Sequence, residues 1–375
     1  GRKFIDSNTI HQMDLAMRLP ITAKGALMPD AHVGYGLPVG GVLATRNAVI
    51  PYGVGLDIGC RMSLTIYDAP EQFISRHRHA IKMALKEETY FGIGQKQREN
   101  VEHKILDRAE FGSTDLLRQL HGKARAQLGT SGSGNHFVEV GVVQLEADNP
   151  FGFDAGGYVG LLAHSGSRGF GATIAQYYTK IAMDSCHLPK GANHMAWLDM
   201  DTEAGQEYWM AMNLAGDYAR ACHDVIHDKV SKAMGLKGGV KVENHHNFAW
   251  KEIHDGEELI VHRKGATPAA NGELGIIPAT MADPGYIVMG KGVDSALRSA
   301  SHGAGRKMSR GKAKNSITRS EMNKRLKGLG ITLIGGGVDE SPFAYKDIEQ
   351  VMSGQTNLVD VIGSFTPRIV RMDKP

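Results

Sequence analysis

The segment Gly53-Val54-Gly55-Leu56-Asp57-Ile58-Gly59-Cys60 sets a carboxylate and a thiol three residues apart among glycines, which let backbone crowd closely around a site. It interrupts the stretch from Val42 to Ile66, whose apolar pattern reads as two or three short strands. Carboxylate oxygen suits hard divalent ions and thiolate suits softer ones. An Asp/Cys pair beside imidazoles therefore points to Mn, Zn, Fe or Co rather than Mg or Ca. Taken alone, such a pair is more often a buried structural thiol next to a turn Asp. What decides between the two lies elsewhere in the chain.

The 47 Gly and 17 His are unevenly placed, concentrated in short Gly/His/Asn/Ser segments between regular elements. In the first, a strand ends in Pro29-Asp30-Ala31-His32 and runs into four glycines, a tight loop suited to an orienting carboxylate and a site imidazole. In the second, the loop Gly129-Thr130-Ser131-Gly132-Ser133-Gly134 leads into a strand. Alternation there puts Asn135, Phe137 and Glu139 on one face and His136, Val138 and Val140 on the other, so one strand could serve a metal and a nucleotide on opposite sides. It is not a Walker loop, because no Gly-Lys-Ser/Thr follows. In the third, an apolar strand delivers His164 to the loop Ser165-Gly166-Ser167-Arg168-Gly169. The helix expected over Ala172 to Ala182 would aim its N-terminus at that loop, where backbone N–H groups favour anions.

Val242 to Ala249 adds His245, His246 and Asn247. In Ser301-His302-Gly303-Ala304-Gly305-Arg306-Lys307-Met308-Ser309-Arg310, an imidazole precedes small residues and several cations. That pattern fits a nucleophilic His302 beside phosphates gripped by Arg306 and Arg310, or simply a basic helix start. Residues 1–20 read as a short helix capped by Ser7 or Asn8, and 71–89 as an amphipathic helix with a solvated basic face. Residues 203–234 read as a long core helix, with His223 and His227 structural.

Net charge is +3, so no global basic field announces nucleic acid, and any such contact must come from local clusters. Only Cys60, Cys186 and Cys222 are present, which argues for a reducing compartment and against a disulfide framework. No apolar run approaches the roughly 20 residues that cross a bilayer. A cytoplasmic protein is expected. With no internal repeat and no low-complexity linker, the expected organisation is one compact domain over 1–375, of α/β (α+β) class with mixed and antiparallel sheets and flanking helices.

Asp57, Cys60, His136, His164 and His246 offer five ligands of three chemical types, more than one tetrahedral ion needs, and two metals sharing a thiolate fit better. Paired ions roughly 3.5–4 Å apart suit phosphoryl transfer. Together MPDAHVGYGLPVGG, GLDIGC, GSGNHFVE, HSGSRGFG, HHNF, HRKGAT and HGAGRKMSR resemble the RtcB family of RNA ligases, over about Leu27 to Ile362. The resemblance implies an enzyme that joins RNA 2′,3′-cyclic-phosphate or 3′-phosphate ends to 5′-hydroxyl ends, using GTP and two Mn(II) ions, in RNA repair or tRNA splicing. It implies that Cys60 bridges both ions, with Asp57 and His136 completing one and His164 and His246 the other. His302 would become guanylated, its ring oriented by Asp30. Asn135, His136, Phe137, Val138, Glu139, His246, Asn247, Pro278, Ala279, Thr280, Met281, Gly285, Gly303, Ala304 and Gly305 would surround the guanylate, Tyr345 would pack on the base, and Arg168, Arg306 and Arg310 would hold RNA or triphosphate oxygens.

The chain departs from that pattern at two positions, Met372 and Gly285, and keeps to it at Ser301. Met372 stands where the family has a guanine-contacting Lys near its end, with Lys374 two residues on; Gly285 replaces a serine near the nucleotide; Ser301 precedes His302 where Cys or Ser is seen. The competing readings are a metal-dependent phosphoesterase that uses the same ligands without His302, and a non-catalytic RNA-binding paralogue.

Overall fold

The computed structural model describes residues 4–374, and its strands pair antiparallel with a single parallel exception. The larger sheet runs, in spatial order, Leu274–Ile277, Gly285–Gly290, Val359–Met372, Phe137–Leu145, Gly156–Ser165, Arg61–Pro70 and Val240–His245. Thr332–Ile334 joins Val359–Met372 in parallel. A second sheet orders Thr22–His32, Val39–Thr45, Glu257–Lys264 and Asn247–His254. Asn247–His254 follows Val240–His245 directly, so His246 is the hinge through which the chain passes from one sheet to the other. This is the mixed α/β architecture with flanking helices that the sequence leads one to expect. Among the described residues no helix is long and apolar enough to cross a membrane, and the three cysteines are free thiols.

The helix Glu203–Met234 keeps the bounds its apolar pattern predicts, because both ends are chemically marked. The Thr202 hydroxyl accepts from Gly205 N–H at 3.1 Å, and Gly235 at φ +72° ends the helix in a left-handed turn that costs glycine little. Its buried face, including Tyr208, Met212, Tyr218 and Val225, packs with Val54, Ile58, Phe170 and Ile174. Gly59, at φ +68°, rests directly on this helix: a Cβ there would lie 2.8 Å from Gly216 Cα. The metal-candidate loop is thus seated on the most regular element of the fold. His223 Nε2 lies 3.2 Å from the Ser165 carbonyl and His227 Nδ1 2.8 Å from the Thr65 hydroxyl, which places both in the core as packing groups.

Three expected boundaries shift. The first helix is Ser7–Met17, capped by Asp6 rather than by Ser7 or Asn8: the Asp6 carboxylate accepts from Thr9 N–H at 3.0 Å and from the Thr9 hydroxyl at 2.6 Å. Residues 1–3 of the expected 1–20 segment lie outside the described residues. The 71–89 segment is two helices, Gln72–Arg76 and Arg78–Glu88, parted at His77. The helix after His164 begins at Arg168 and runs to Ser185, longer at both ends than the expected Ala172 to Ala182.

Candidate active site

Four sequence-distant segments deliver polar side chains to one buried point. Asp57 and Cys60 come from the glycine loop before Arg61–Pro70, His164 from the end of Gly156–Ser165, His136 from the residue before Phe137–Leu145, and His246 from the hinge between sheets. Cys60 Sγ lies 3.2 Å from His164 Nε2 and 3.5 Å from His136 Nε2. His164 Nε2 is 3.3 Å from His246 Nε2, and His136 Nε2 is 2.9 Å from Asp57 Oδ2. Gly166 makes room for the Asp57 carboxylate, since a Cβ there would meet Oδ1 at 2.1 Å.

The far sides of the rings show which nitrogens are free. His136 Nδ1 lies 2.8 Å from the Ser131 carbonyl and His164 Nδ1 3.1 Å from the Asn135 carbonyl. A ring that donates from Nδ1 presents the Nε2 lone pair, the arrangement metal-bound histidines take. At His136 the lone pair then faces the Asp57 carboxylate, a contact that calls for a cation between or beside its partners. His246 Nδ1 has no partner among the described residues, so its Nε2 can donate to His164 Nε2 or, beside a cation, join it as a second neutral ligand. Two ligands of one ion, with metal–donor distances of about 2.0–2.3 Å, sit roughly 3–4 Å apart, which is the spacing observed. The donor set therefore fits metal, with Cys60 shared by the two electron-rich pairs.

The electrostatics agree. Without metal, a proton on His136 Nε2 takes the place of the cation: burial pushes the Asp57 carboxyl up, but the His136 charge and hydrogen bond, with Arg168 beyond, then hold it well below the ordinary range. Burial and the Asp57 charge push the Cys60 thiol far up, a cost that a bound cation would reverse. Burial pushes His164 down to about 3 and His246 well down, which keeps both imidazoles neutral and able to coordinate.

Next to this cluster stands His302, whose ring centroid is 5.1 Å from that of His246. Its Nδ1 is 2.6 Å from Asp30 Oδ2, and its backbone N–H donates to the same oxygen at 3.2 Å. Asp30 is fully buried; burial would raise its carboxyl, yet the neighbouring His302 holds it below the usual value. Gly305, at φ +71°, lets the loop fold over Asp30, whose carbonyl oxygen would be 2.2 Å from any Cβ at that position. With Nδ1 fixed by the carboxylate, Nε2 is the free nitrogen.

A cavity of about 350 Å³ opens onto both features. Its wall includes all five metal-candidate residues, His302 to Arg306, Arg310, Asn135, Phe137, Glu139, Asn247, Pro278 to Met281, Gly285, Tyr345 and Met372. Three expected residues stand outside it. Asp30 lies behind His302, Arg168 rests with Nη1 3.2 Å from His136 Nδ1, and Val138 faces the core with Val140 and Leu161. His136 does not lie opposite Phe137 and Glu139, as simple alternation predicts; all three face the cavity. The strand begins at Phe137, and Gly132 and Gly134, at φ +84° and +74°, turn His136 before any pleat is established.

A scan against family models matches this chain to "tRNA-splicing ligase RtcB" over residues 12–114 and 110–373. The chain belongs to the RtcB family. It is 33% identical over 391 residues to the RNA-splicing ligase RtcB1 of Escherichia coli strain ATCC 25922, covering 96% of this chain and 92% of that protein. It is 32% identical to the RNA-splicing ligase RtcB of Escherichia coli K12, with the same coverage. The tRNA-splicing ligase RtcB of Nanoarchaeum equitans is 30% identical over 436 residues, covering 96% of this chain and 91% of that one.

This RtcB-family site also contains groups the sequence reading passed over. Arg306 and Arg310 converge on Asp339 and Glu340: Arg306 Nη2 donates to the Asp339 carbonyl at 2.7 Å, Arg310 Nη1 is 2.9 Å from Asp339 Oδ2, and Arg310 also pairs with Glu340. The Tyr345 hydroxyl donates to Glu340, and the Arg306 guanidinium lies 5.0 Å from the Tyr345 ring centroid. Asp339 and Glu340 stand five to six residues before Tyr345 in the sequence, but nothing local ties them to arginines about 30 residues upstream. Lys264 is the second omission. It lines the cavity, donates to the Tyr35 and Tyr52 carbonyls, and is pushed down to about 7 by burial.

Proposed function

We propose that this chain is an RNA ligase that joins RNA 3′-phosphate or 2′,3′-cyclic-phosphate ends to 5′-hydroxyl ends, using GTP and two Mn(II) ions, in RNA repair or tRNA splicing. The observation that carries the reading is the buried Asp30–His302 pair set beside the Cys/Asp/His cluster in one cavity. An imidazole with Nδ1 held by a carboxylate presents a nucleophilic Nε2 near neutral pH and becomes a good leaving group from phosphorus. Water would first open a 2′,3′-cyclic phosphate to the 3′-phosphate; His302 would attack the α-phosphorus of GTP, form an N–P bond and release pyrophosphate, then pass the guanylate to the RNA 3′-phosphate. The 5′-hydroxyl would displace GMP. Asp57, Cys60, His136, His164 and His246 would hold metal ions that neutralise charge building on the transferring phosphoryl group. Arg306 and Arg310 would exchange their carboxylate partners for phosphate oxygens.

Glu139 supports a purine in the same cavity. It is 4% exposed, and burial pushes its carboxyl well up. A base that brings two N–H donors to this acceptor would relieve that burial, and guanine, through N1–H and its 2-amino group, does so. The test is incubation with Mn(II) and α-labelled GTP. Acid-labile label on the parent protein and none on His302→Ala is the expected result, with His302→Ala still sealing a pre-guanylated RNA 3′ end in part. Equal loss of both activities would make His302 a metal or structural residue, and absence of label on the parent would remove the reading.

A further inference from the structure

We infer that the two consecutive helices Arg310–Ser316 and Arg319–Gly328 form a ledge that binds the phosphate backbone of RNA outside the cavity; this rests on the RNA-ligase reading above. Between Arg306 and Gly328 the sequence has nine Lys and Arg and one acidic residue, in a chain whose total charge is only +3. The single carboxylate, Glu321, is spent on helix capping: it accepts from the Thr318 N–H at 3.0 Å and hydroxyl at 2.7 Å. Lys307, Lys312, Lys314, Lys324 and Lys327 are exposed, and among the described residues none forms an ion pair. Ordinary solvated helix faces mix both signs, and so many uncompensated cations repel one another unless a polyanion is bound.

The ledge is fixed to the active-site wall from behind. The first helix buries Ala313, which packs with Ile317, Ala344 and Tyr345. The second buries Met322 and Leu326 against Met281, Val370 and Met372. Tyr345, Met281, Val370 and Met372 all line the cavity. The apolar faces of both helices thus point at the reaction site while their cations point outward, continuing from Arg306 and Arg310 at the cavity wall. Exposed lysine ammonium groups are point charges without the paired donors and acceptors that read base edges, so what the ledge recognises is backbone charge, and RNA strands that reach beyond the cavity are its ligand.

The test uses Lys312→Gln, Lys314→Gln, Lys324→Gln and Lys327→Gln together, which keeps helix-forming side chains at exposed sites. Binding of a fluorescent single-stranded RNA of about 20 nucleotides is followed by anisotropy across a salt series. Each lost phosphate contact removes about 0.7 from the salt slope, so the expected change is a slope shallower by about 2 to 3 and an affinity roughly 10- to 100-fold weaker near physiological salt. Labelling of His302 by GTP should be unchanged, as should joining of RNA ends only a few nucleotides long. Equal RNA affinity and slope in parent and variant would overturn the ledge even if the parent ligates. A parent that binds no RNA would overturn it as well, and so would lysine-dependent binding to anionic lipid vesicles or acidic peptide in place of RNA. A parent that binds RNA through these lysines but acquires no label from GTP would overturn the ligase reading and leave the ledge standing.

Discussion

Replacing Asp30 by Asn separates the charge of this residue from its shape. Two donors, His302 Nδ1–H and the His302 backbone N–H, converge on the single oxygen Oδ2. An Asn side chain therefore turns its carbonyl toward His302, since the amide orientation would set N–H against N–H twice. The other oxygen, Oδ1, is buried without a hydrogen-bond partner among the described residues, and so is the Ser301 hydroxyl, which helps hold the Asp30 carboxyl low. In the variant, Nδ2 can donate to that hydroxyl. The fold should then lose about 1–3 kcal/mol, because Nδ2 brings two N–H donors to a buried position and the Ser301 hydroxyl can accept only one. What disappears is the charge on the acceptor. A hydrogen bond to a charged group is worth about 1.5–3 kcal/mol and a neutral one about 0.5–1.5, a difference of roughly 1.4 kcal/mol or tenfold in rate. Single-turnover transfer of label from α-labelled GTP to protein should slow about tenfold, with the tautomer intact. A loss near 10⁴-fold, the size expected when the wrong nitrogen carries the proton, would refute the reasoning from the converging donors.

Cys60→Ser should leave the fold in place but lower the affinity for both ions, because a neutral hydroxyl replaces the thiolate that both electron-rich pairs share; two ions found by metal analysis, with near-parental ligation, would argue against the shared role. Met372→Lys should widen the preference for GTP over ATP, since Met372 pairs across the strands with Phe137, on the face that carries Glu139, and an ammonium there can donate to guanine O6; an unchanged ratio, combined with collapse of GTP use in Lys374→Ala, would transfer the guanine contact to Lys374. The metal-free protein should weaken in acid. Burial pushes His32, His164, His227, His245 and His262 down to about 4, 3, 3, 3 and 4, while the unfolded chain takes up these protons near 6.5. The stability they contribute is complete above about 6.5 and falls as pH drops toward 4, each group adding at most about 1.4 kcal/mol per pH unit; a urea midpoint in chelator that is the same at pH 7.5 and pH 5 would contradict this.

Which residues gather at the cavity was more legible in the sequence than how they are arranged there. Cys60, His164 and His302 stand out because glycines beside a reactive side chain leave a local trace. The helix Glu203–Met234 is equally plain, with a periodic apolar face, a Thr cap and a terminal Gly. Asp6 was harder, because Asp6, Ser7 and Asn8 are all good capping residues and only the path of the preceding chain selects among them. His136 was misplaced because alternation applies within a strand, and the strand begins one residue later. Glu340 left no trace: its link to Arg306 and Arg310 spans about 30 residues and is made only when Pro342–Ala344 folds against the helix Arg310–Ser316. Sheet order was likewise hidden, since antiparallel neighbours need not be neighbours in sequence.

One item of that order bears on how the protein is made. Val359–Met372, the last strand of the described chain, lies in the interior of the larger sheet, between Gly285–Gly290 and Phe137–Leu145. While residue 372 is still inside the ribosome, Phe137–Leu145 is an open edge, with unpaired amides over an apolar face that includes Val138, Val140 and Val142. The wall formed by Pro367, Val370 and Met372 does not yet exist. Elongation at about 5–20 residues per second leaves that edge bare for roughly ten seconds or more after Leu145 emerges. Nascent chains should therefore need a holding chaperone over this interval, and a catalytic pocket can close only when synthesis has passed the final strand.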